Sequence, residues 1–495
     1  MQGEFGSGRN HIGRRFVLAG LLAGAVVPAW ANAPSHAPRP RPRPGVPASP
    51  AASAAGVRPT APAADVLIDK ARLGGRVSYA VLDGRSGALL EGHGESLAQP
   101  PASVAKAITA LYALARLGQE FRFVTRVVAT GPVQGGVVQG DLILLGAGDP
   151  TLDTDQLGDL AASLKAKGIR GVRGRFLVNA TALPGIDQID PDQPAHVGYN
   201  PAISGLNLNF NRVHFEWKRG KSGWQIGMDA RGQRFAPAVR MARARIVERN
   251  APLFTYDLTD GQERWTVASS SLGKGGSRWL PVRQPERYAG EVFQTLCAAQ
   301  GIALPDPHRV GGVSGGTVLA HVASPPLPEM LRGMLRHSTN ITAEAIGLAA
   351  SGAGSLRASG RAMSDWLQAT HGVEASFVDH SGLGGNSRIS AAGMAAALVR
   401  VPGLASLMRP FPTGTKGKGP QALAKTGTLN FVSGLAGYVS GGRPLVFAIF
   451  AADTARRERL SGAERERPAG GPEWTRRART LQGQLIDRWV TLYPG

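Results

Sequence analysis

Cysteine is nearly absent from this chain: there is one, Cys297, in 495 residues. A lone cysteine excludes an internal disulfide. It lies in the apolar stretch VFQTLCAAQ and is read as a packing residue rather than a nucleophile. Acidic residues are also scarce, with Asp+Glu 35 against Lys+Arg 56 and a net charge of +21. Such an excess suits nucleic acid, an anionic membrane surface or an acidic polymer. Missing, however, is any compact run of lysine and arginine interleaved with aromatics, so no nucleic-acid module is recognisable and nucleic acid is not expected as a partner. The basicity reads as mostly solvated surface. Long apolar runs are missing too. FVLAGLLAGAVVPAW, residues 16–30, is too short for a comfortable membrane span, so no stable transmembrane anchor is expected. No internal repeat is present.

What is there falls into four segments. Residues 1–33 look like an export signal peptide: Arg14 and Arg15 precede the apolar run, and Ala31-Asn32-Ala33 is a small-residue cleavage site. This predicts an exported, periplasmic protein, by the twin-arginine or the ordinary secretory route. Residues 34–64 are a Pro/Ala/Arg-rich linker without core-forming content. Its arginines leave a peripheral contact with lipid or anionic polymer open beside the plain-spacer reading. From Asp65, RVSYAVLDGRSGALLEGHG reads as a β-hairpin turning at Asp83-Gly84. Residues 131–315 read as a mostly β insertion, with period-two alternation such as Val213, Phe215 and Trp217. Beyond about 320 the pattern turns helical. Adjacent strands follow over residues 422–453, and an amphipathic helix from Trp474 to Leu492 could cover their sheet.

One stretch organises the rest: PASVAKAITALYALARLG, residues 101–118. Pro101 and Gly118 are helix start and stop signals. Apolar residues run almost all round it, as in a buried helix. Yet it carries Ser103 and, three residues on and so on the same face, Lys106. Burial penalises the charge of a lysine, and a neutral amine beside a serine hydroxyl is a general base beside a nucleophile. The alternative is a serine cap followed by a surface lysine. The pattern alone does not choose, since Ser271 and Lys274 repeat it in the loop-like SSSLGKGGS.

Two further elements select the first copy. Ser338-x-Asn340 sits between two helical stretches, and Lys425-Thr426-Gly427 lies on a strand. Each pattern occurs once in the chain. Ser-x-x-Lys, Ser-x-Asn and Lys-Thr-Gly in that order form the motif set of serine β-lactamases and penicillin-binding proteins. With 231 residues between the first two motifs, and stretches such as GDLILLGAGDPTL and YNPAISGLNLNFN, the chain resembles low-molecular-mass class C penicillin-binding proteins. These are D-alanyl-D-alanine carboxypeptidases and endopeptidases. The resemblance covers about residue 65 to the end. It implies an α/β fold: a penicillin-binding, serine β-lactamase-like domain from residues 65–130 and 316–495, with an antiparallel sheet and helices, plus the mostly β region 131–315.

The resemblance also implies roles. Ser103 is the nucleophile that forms an acyl-enzyme with peptidoglycan peptides, or with β-lactams as covalent inhibitors. Lys106, kept neutral by burial and nearby cations, is its base. Ser338 relays a proton to the leaving amine, and Asn340 fixes Lys106 and holds a substrate amide. Lys425 supplies positive potential, and Thr426 and Thr428 bind the terminal carboxylate. The backbone N–H groups of Ser103 and Thr428 form the oxyanion hole. Gly427 leaves room for substrate along the strand. Arg388 is a candidate for a second carboxylate, although DHSGLGGNSR shifts it from the family's pattern. His337 and His380 adjoin motifs but lack ligand spacing, so no metal or other cofactor is expected. A β-lactamase or esterase of the same fold, and a non-catalytic wall-binding protein, are the competing readings.

Overall fold

The strand Leu445–Ala452 (LVFAIFAA) is buried along its whole length, and the fold is built outward from it. Val446, Ala448 and Phe450 point to one core, while Leu445, Phe447, Ile449 and Ala451 point to another. That is the period-two alternation of a strand covered on both faces. The computed structural model describes residues 61–312, 315–413, 421–466 and 468–494. The expected signal peptide and nearly all of the expected linker lie outside the described residues.

The strand is interior to a six-stranded sheet. In order, the sheet runs Leu89–His93, Arg76–Asp83, Leu445–Ala452, Val432–Ser440, Gln421–Leu429 and Arg409–Phe411, every pair antiparallel. The hairpin read from the sequence is its first pair, with Asp83 Oδ1 accepting the N–H groups of Arg85 and Ser86 in the turn. Helix Gly471–Leu492 covers one face with Trp474, Ala478, Leu481, Leu485 and Trp489, spaced three and four apart. On the other face lie helices Ala105–Leu117, Leu327–His337, Leu356–His371 and Ala391–Val399.

A second core lies among residues 127–320. Its five-stranded sheet includes Val124–Ala129, which pairs antiparallel with Thr317–Ala323, so this excursion leaves and returns on neighbouring strands. Three three-stranded sheets accompany it. So do two helices that the strand-like pattern does not anticipate, Thr154–Ala166 and Pro285–Ala299. Both carry a start signal. Asp153 and Gln156 form a capping box, each side chain accepting the other's backbone N–H. Pro285 occupies the first helical position of the other. Cys297 is fully buried on that helix, and burial pushes its thiol up to about 12.

The two cores meet at the nucleophile's side of the molecule. Leu183, Ile189 and Ile203 pack on Ile341, Ala345, Leu348 and Leu383. Asparagines fix the chain that runs into this contact. Asn207 Oδ1 accepts from Ser204 N, and Asn211 Nδ2 donates to Ala202 O and to Asn207 Oδ1. Asn209, Phe210 and Asn211 all take left-handed dihedrals, φ 51, 60 and 50°. Asparagine tolerates that region better than most residues.

Candidate active site

Ser103 lies in a tight 3₁₀ turn, Ala102–Val104, that feeds helix Ala105–Leu117. Ala102 sits at φ 47°, a backbone conformation that non-glycine residues avoid unless their surroundings impose it. The surroundings here are glycines. A Cβ built on Gly427 would stand 2.6 Å from Pro101 O and 2.9 Å from Ser103 N, and one on Gly434 2.9 Å from Pro101 O. A Cβ on Gly382 would collide with Ala102 O. The serine turn is thus pressed between strand Gln421–Leu429 and the loop at 379–384. The bare face of Gly427 meets the nucleophile's own backbone, which corrects the expectation that it makes room for substrate.

Lys106 has no solvent exposure, so the surface-lysine alternative fails. Its Nζ lies 3.1 Å from Ser103 Oγ, 2.7 Å from Asn340 Oδ1 and 2.7 Å from Ser381 O. An ammonium would donate to all three. A neutral amine has two N–H donors and one lone pair. Donating to Asn340 and Ser381 leaves that lone pair for the hydroxyl proton of Ser103. Burial pushes Lys106 down to about 8, and the buried carboxylates of Glu344 and Asp379 act against it. Of the expected burial and nearby cations, burial is what lowers it, and the charges beside it are two anions rather than cations, which corrects the second half of that expectation.

Ser338 ends helix Leu327–His337 in a left-handed conformation, φ 57°, just before helix Asn340–Ser351 begins. Its Oγ accepts from Lys425 Nζ at 2.9 Å, and the same Nζ donates to Thr426 O at 2.6 Å. Lys425 is 1% exposed and makes no ion pair among the described residues. Burial first, then Lys106 and Arg409, hold its ammonium well below the usual lysine range. Asn340 uses one amide N–H on Tyr199 O, 2.9 Å away, which leaves the other for a ligand. Thr426 is half-buried. Thr428 is exposed and accepts from Arg479 at 3.4 Å.

A cavity of about 450 Å³ opens over these groups, lined by Ser103, Ser338, Asn340, Thr428, Leu383 and Tyr199 among others. Tyr199 is 50% exposed and comes from the second core's side of the chain. Arg388 is not on this wall. Its guanidinium donates to Gly385 O and Ser387 O, because the loop that displaces it from the expected pattern folds back on itself through Asp379. The structure therefore does not bring Arg388 to Ser103. His380 is fully buried against Gly347, bonds Ser359 Oγ at 2.6 Å, and is pushed by burial down to about 3. His337 is exposed. Among the described residues, the side chains that could gather on a metal are His214, Glu216 and Asp229, where Arg231 already pairs with both acids.

Sequence reasoning missed Glu344, Asp379 and the carbonyls of Ser381 and Tyr199. Glu344 carried a signal, lying four residues after Asn340 on the same helix face in an otherwise apolar stretch. Backbone carbonyls carry none.

The sequence profile of the D-Ala-D-Ala carboxypeptidase 3 (S13) family matches residues 61–467. A D-alanyl-D-alanine carboxypeptidase of Actinomadura sp. (strain R39) is 29% identical over 456 residues, 80% of this chain and 81% of that protein. The carboxypeptidase DacB of Mycolicibacterium smegmatis is 28% identical over 421 residues, 76% of each chain. The crystal structure of penicillin binding protein 4 (dacB) from Haemophilus influenzae superposes with a TM-score of 0.69 at 21% identity, over 85% of this chain and 99% of that one. The shared fold is the antiparallel sheet with its helices and the accompanying β-rich region.

Proposed function

Because the chain belongs to the D-Ala-D-Ala carboxypeptidase 3 (S13) family, as a low-molecular-mass class C penicillin-binding protein, we propose that Ser103 opens the D-Ala-D-Ala bond of peptidoglycan stem peptides through an acyl-enzyme. The protein is a serine hydrolase of the carboxypeptidase type. Lys106 takes the Ser103 proton as Oγ attacks the carbonyl carbon. The developing oxyanion is met by the backbone N–H groups of Ser103 and Thr428. As the intermediate collapses, the proton that Lys106 took is relayed through Ser338, with Lys425 behind it, to the departing amine, which returns Lys106 to its neutral form. Water then releases the acyl group by the reverse proton path.

The leaving residue's carboxylate is received by Thr426 and Thr428, with Arg479 beside them and Lys425 beneath. An arriving carboxylate compensates the buried Lys425 and favours its charged form. The same steps cleave a peptide cross-link, so DD-endopeptidase activity follows from the same site, and a β-lactam is trapped at the acyl stage. We place this work in the periplasm after removal of residues 1–33, with 34–64 as a tether. The expected bounds of the peptidase domain, 65–130 and 316–495, draw in to about 65–123 and 324–495, because Val124–Ala129 and Thr317–Ala323 pair in the second core's sheet, and the insertion between them supplies Tyr199 to the site wall.

The observation that carries the reading is the threefold coordination of a fully buried Lys106 amine by Ser103, Asn340 and Ser381. The test is labelling of the purified protein by a fluorescent penicillin, with mass spectrometry of muropeptides digested by it. Loss of label in Ser103→Ala, and release of terminal D-alanine by the wild type, are expected. Undiminished labelling of Ser103→Ala would overturn it.

A further inference from the structure

The loop that carries Ser381 is held by two carboxylates with no cation of their own. Glu344 accepts His380 N at 2.9 Å and Ser381 N at 2.8 Å, one on each oxygen. Asp379 accepts Gly382 N at 2.7 Å and Gly384 N at 2.6 Å in the same way. Glu344 is 0% exposed and Asp379 2%, and neither forms an ion pair among the described residues. Buried carboxylates without a partner are rare, because burial penalises their charge.

Their hydrogen bonds end on the peptides that surround the lysine. The Ser381–Gly382 peptide gives its N–H to Asp379 and its C=O to Lys106 Nζ. The His380–Ser381 peptide gives its N–H to Glu344, and its C=O accepts from Thr109 Oγ1 at 2.7 Å. Thr109 lies one turn beyond Lys106 on the same helix. A carboxylate on the N–H of a peptide polarises it and strengthens its carbonyl as an acceptor.

We propose that Asp379 and Glu344 are positioning residues for the base: through these two peptides they fix the Lys106 amine toward Ser103 and set the pH range in which it accepts a proton. The groups facing Lys106 are few. Its own helix and the turn before it bring Thr109 and Ser103. Helix Asn340–Ser351 brings Asn340 and Glu344, the loop brings Asp379, His380 and Ser381, and strand Gln421–Leu429 brings Lys425. His380 is neutral, and the two carboxyl groups are the acids of the set: burial pushes Glu344 up to about 8 and Asp379 up to about 6, while the backbone N–H groups they accept act the other way and favour their charged forms. Burial pulls the amine down, and the charged forms of these two acids act against that pull.

The inference rests on Lys106 acting as base, so the experiment separates the two. The first-order rate of acylation at saturating fluorescent penicillin, and the non-covalent binding constant, are measured from pH 5 to 10 for the wild type, Asp379→Asn and Glu344→Gln. An amide turns an N–H donor toward a backbone N–H and removes the charge. The expected result is a rate lowered about 10²-fold by misplacement of the amine, unchanged non-covalent binding, and an acid limb moved to lower pH. A limb in the wild-type position overturns the inference while leaving the base assignment intact. A wild type that penicillin does not acylate overturns the assignment itself. Should both variants fail to fold, Thr109→Val releases the other end of the clamped peptide without altering charge. A lowered rate with an unmoved limb supports the inference, and a wild-type rate overturns it.

Discussion

Replacing Gly427 by alanine tests how closely the strand and the nucleophile turn are fitted. The added Cβ would stand 2.6 Å from Pro101 O, 2.9 Å from Ser103 N and 3.0 Å from Val104 N, all backbone atoms that no rotamer change can move. Ordinary contact begins at 3.4 Å, so strand and turn must part by about 0.8 Å at the oxygen. The strand cannot be the part that yields. Gly427 lies opposite Gly434 on the next strand, and that strand is itself paired on its far side with Leu445–Ala452. The turn therefore moves, and with it both Ser103 Oγ and the N–H proposed for the oxyanion. Overpacking of this kind costs about 1–3 kcal/mol of stability, and a displacement near 1 Å costs about 10²-fold in rate. The assay is acylation by a fluorescent penicillin together with thermal unfolding. Gly483→Ala serves as control, since a Cβ there, on helix Gly471–Leu492, meets nothing within 4 Å. Acylation of Gly427→Ala at the wild-type rate, with weakened binding of peptide alone, would refute the reasoning and return Gly427 to the substrate side of the strand.

Lys106→Ala should lower acylation by both peptide and penicillin about 10²- to 10⁴-fold, the usual contribution of a positioned base. Lys106→Arg should not restore it, because a guanidinium keeps its proton; steady-state acylation kinetics of both variants decide. In the wild type the acylation rate should climb as pH rises through about 8, since the lysine works as base only after losing its proton. A pH–rate profile falling over that range would contradict the assignment. Lys425→Arg should retain more activity than Lys425→Ala, because charge near the substrate carboxylate is its contribution; the comparison is read as the second-order acylation rate. Cys297 should react with a maleimide only on unfolding, because its thiol is buried and pushed up to about 12, and mass spectrometry before and after denaturant reads this.

The three motifs were legible because each binds chemistry to local pattern. Ser103 and Lys106 share a helix face at fixed spacing, Ser338 and Asn340 mark a break between helices, and Lys425 lies at the start of a run of adjacent strands. The six-stranded sheet was legible in outline for the same reason, since Leu445–Ala452 has the unbroken apolar run of a strand covered on both faces. The misreadings concern what touches across the fold. The shift of Arg388 was visible in DHSGLGGNSR, but not its consequence, the guanidinium turned onto Gly385 and Ser387. The space at Gly427 was visible as a missing side chain, but not that the backbone at Pro101 and Ser103 fills it. The electrostatics of Lys106 depend on Glu344 and Asp379, which lie 238 and 273 positions away in the chain, and no local period encodes such a meeting.

Strand Arg76–Asp83 pairs Asp83 with Leu445 and Arg76 with Ala452, so each of these contacts spans more than 360 residues. Non-local pairing of this reach slows folding, because a long loop must close before any contact rewards it. At synthesis rates of about 5–20 residues per second, its central partner emerges roughly 20–70 s after it does. Through that interval the early strand has only its hairpin neighbour, and one edge stays open to pairing with other chains. Any truncation ahead of Leu445 makes the interval permanent. Such a fragment keeps the nucleophile, its base and the Ser-x-Asn pair in sequence, yet it has lost the strand on which the sheet closes and would be expected to aggregate rather than bind penicillin.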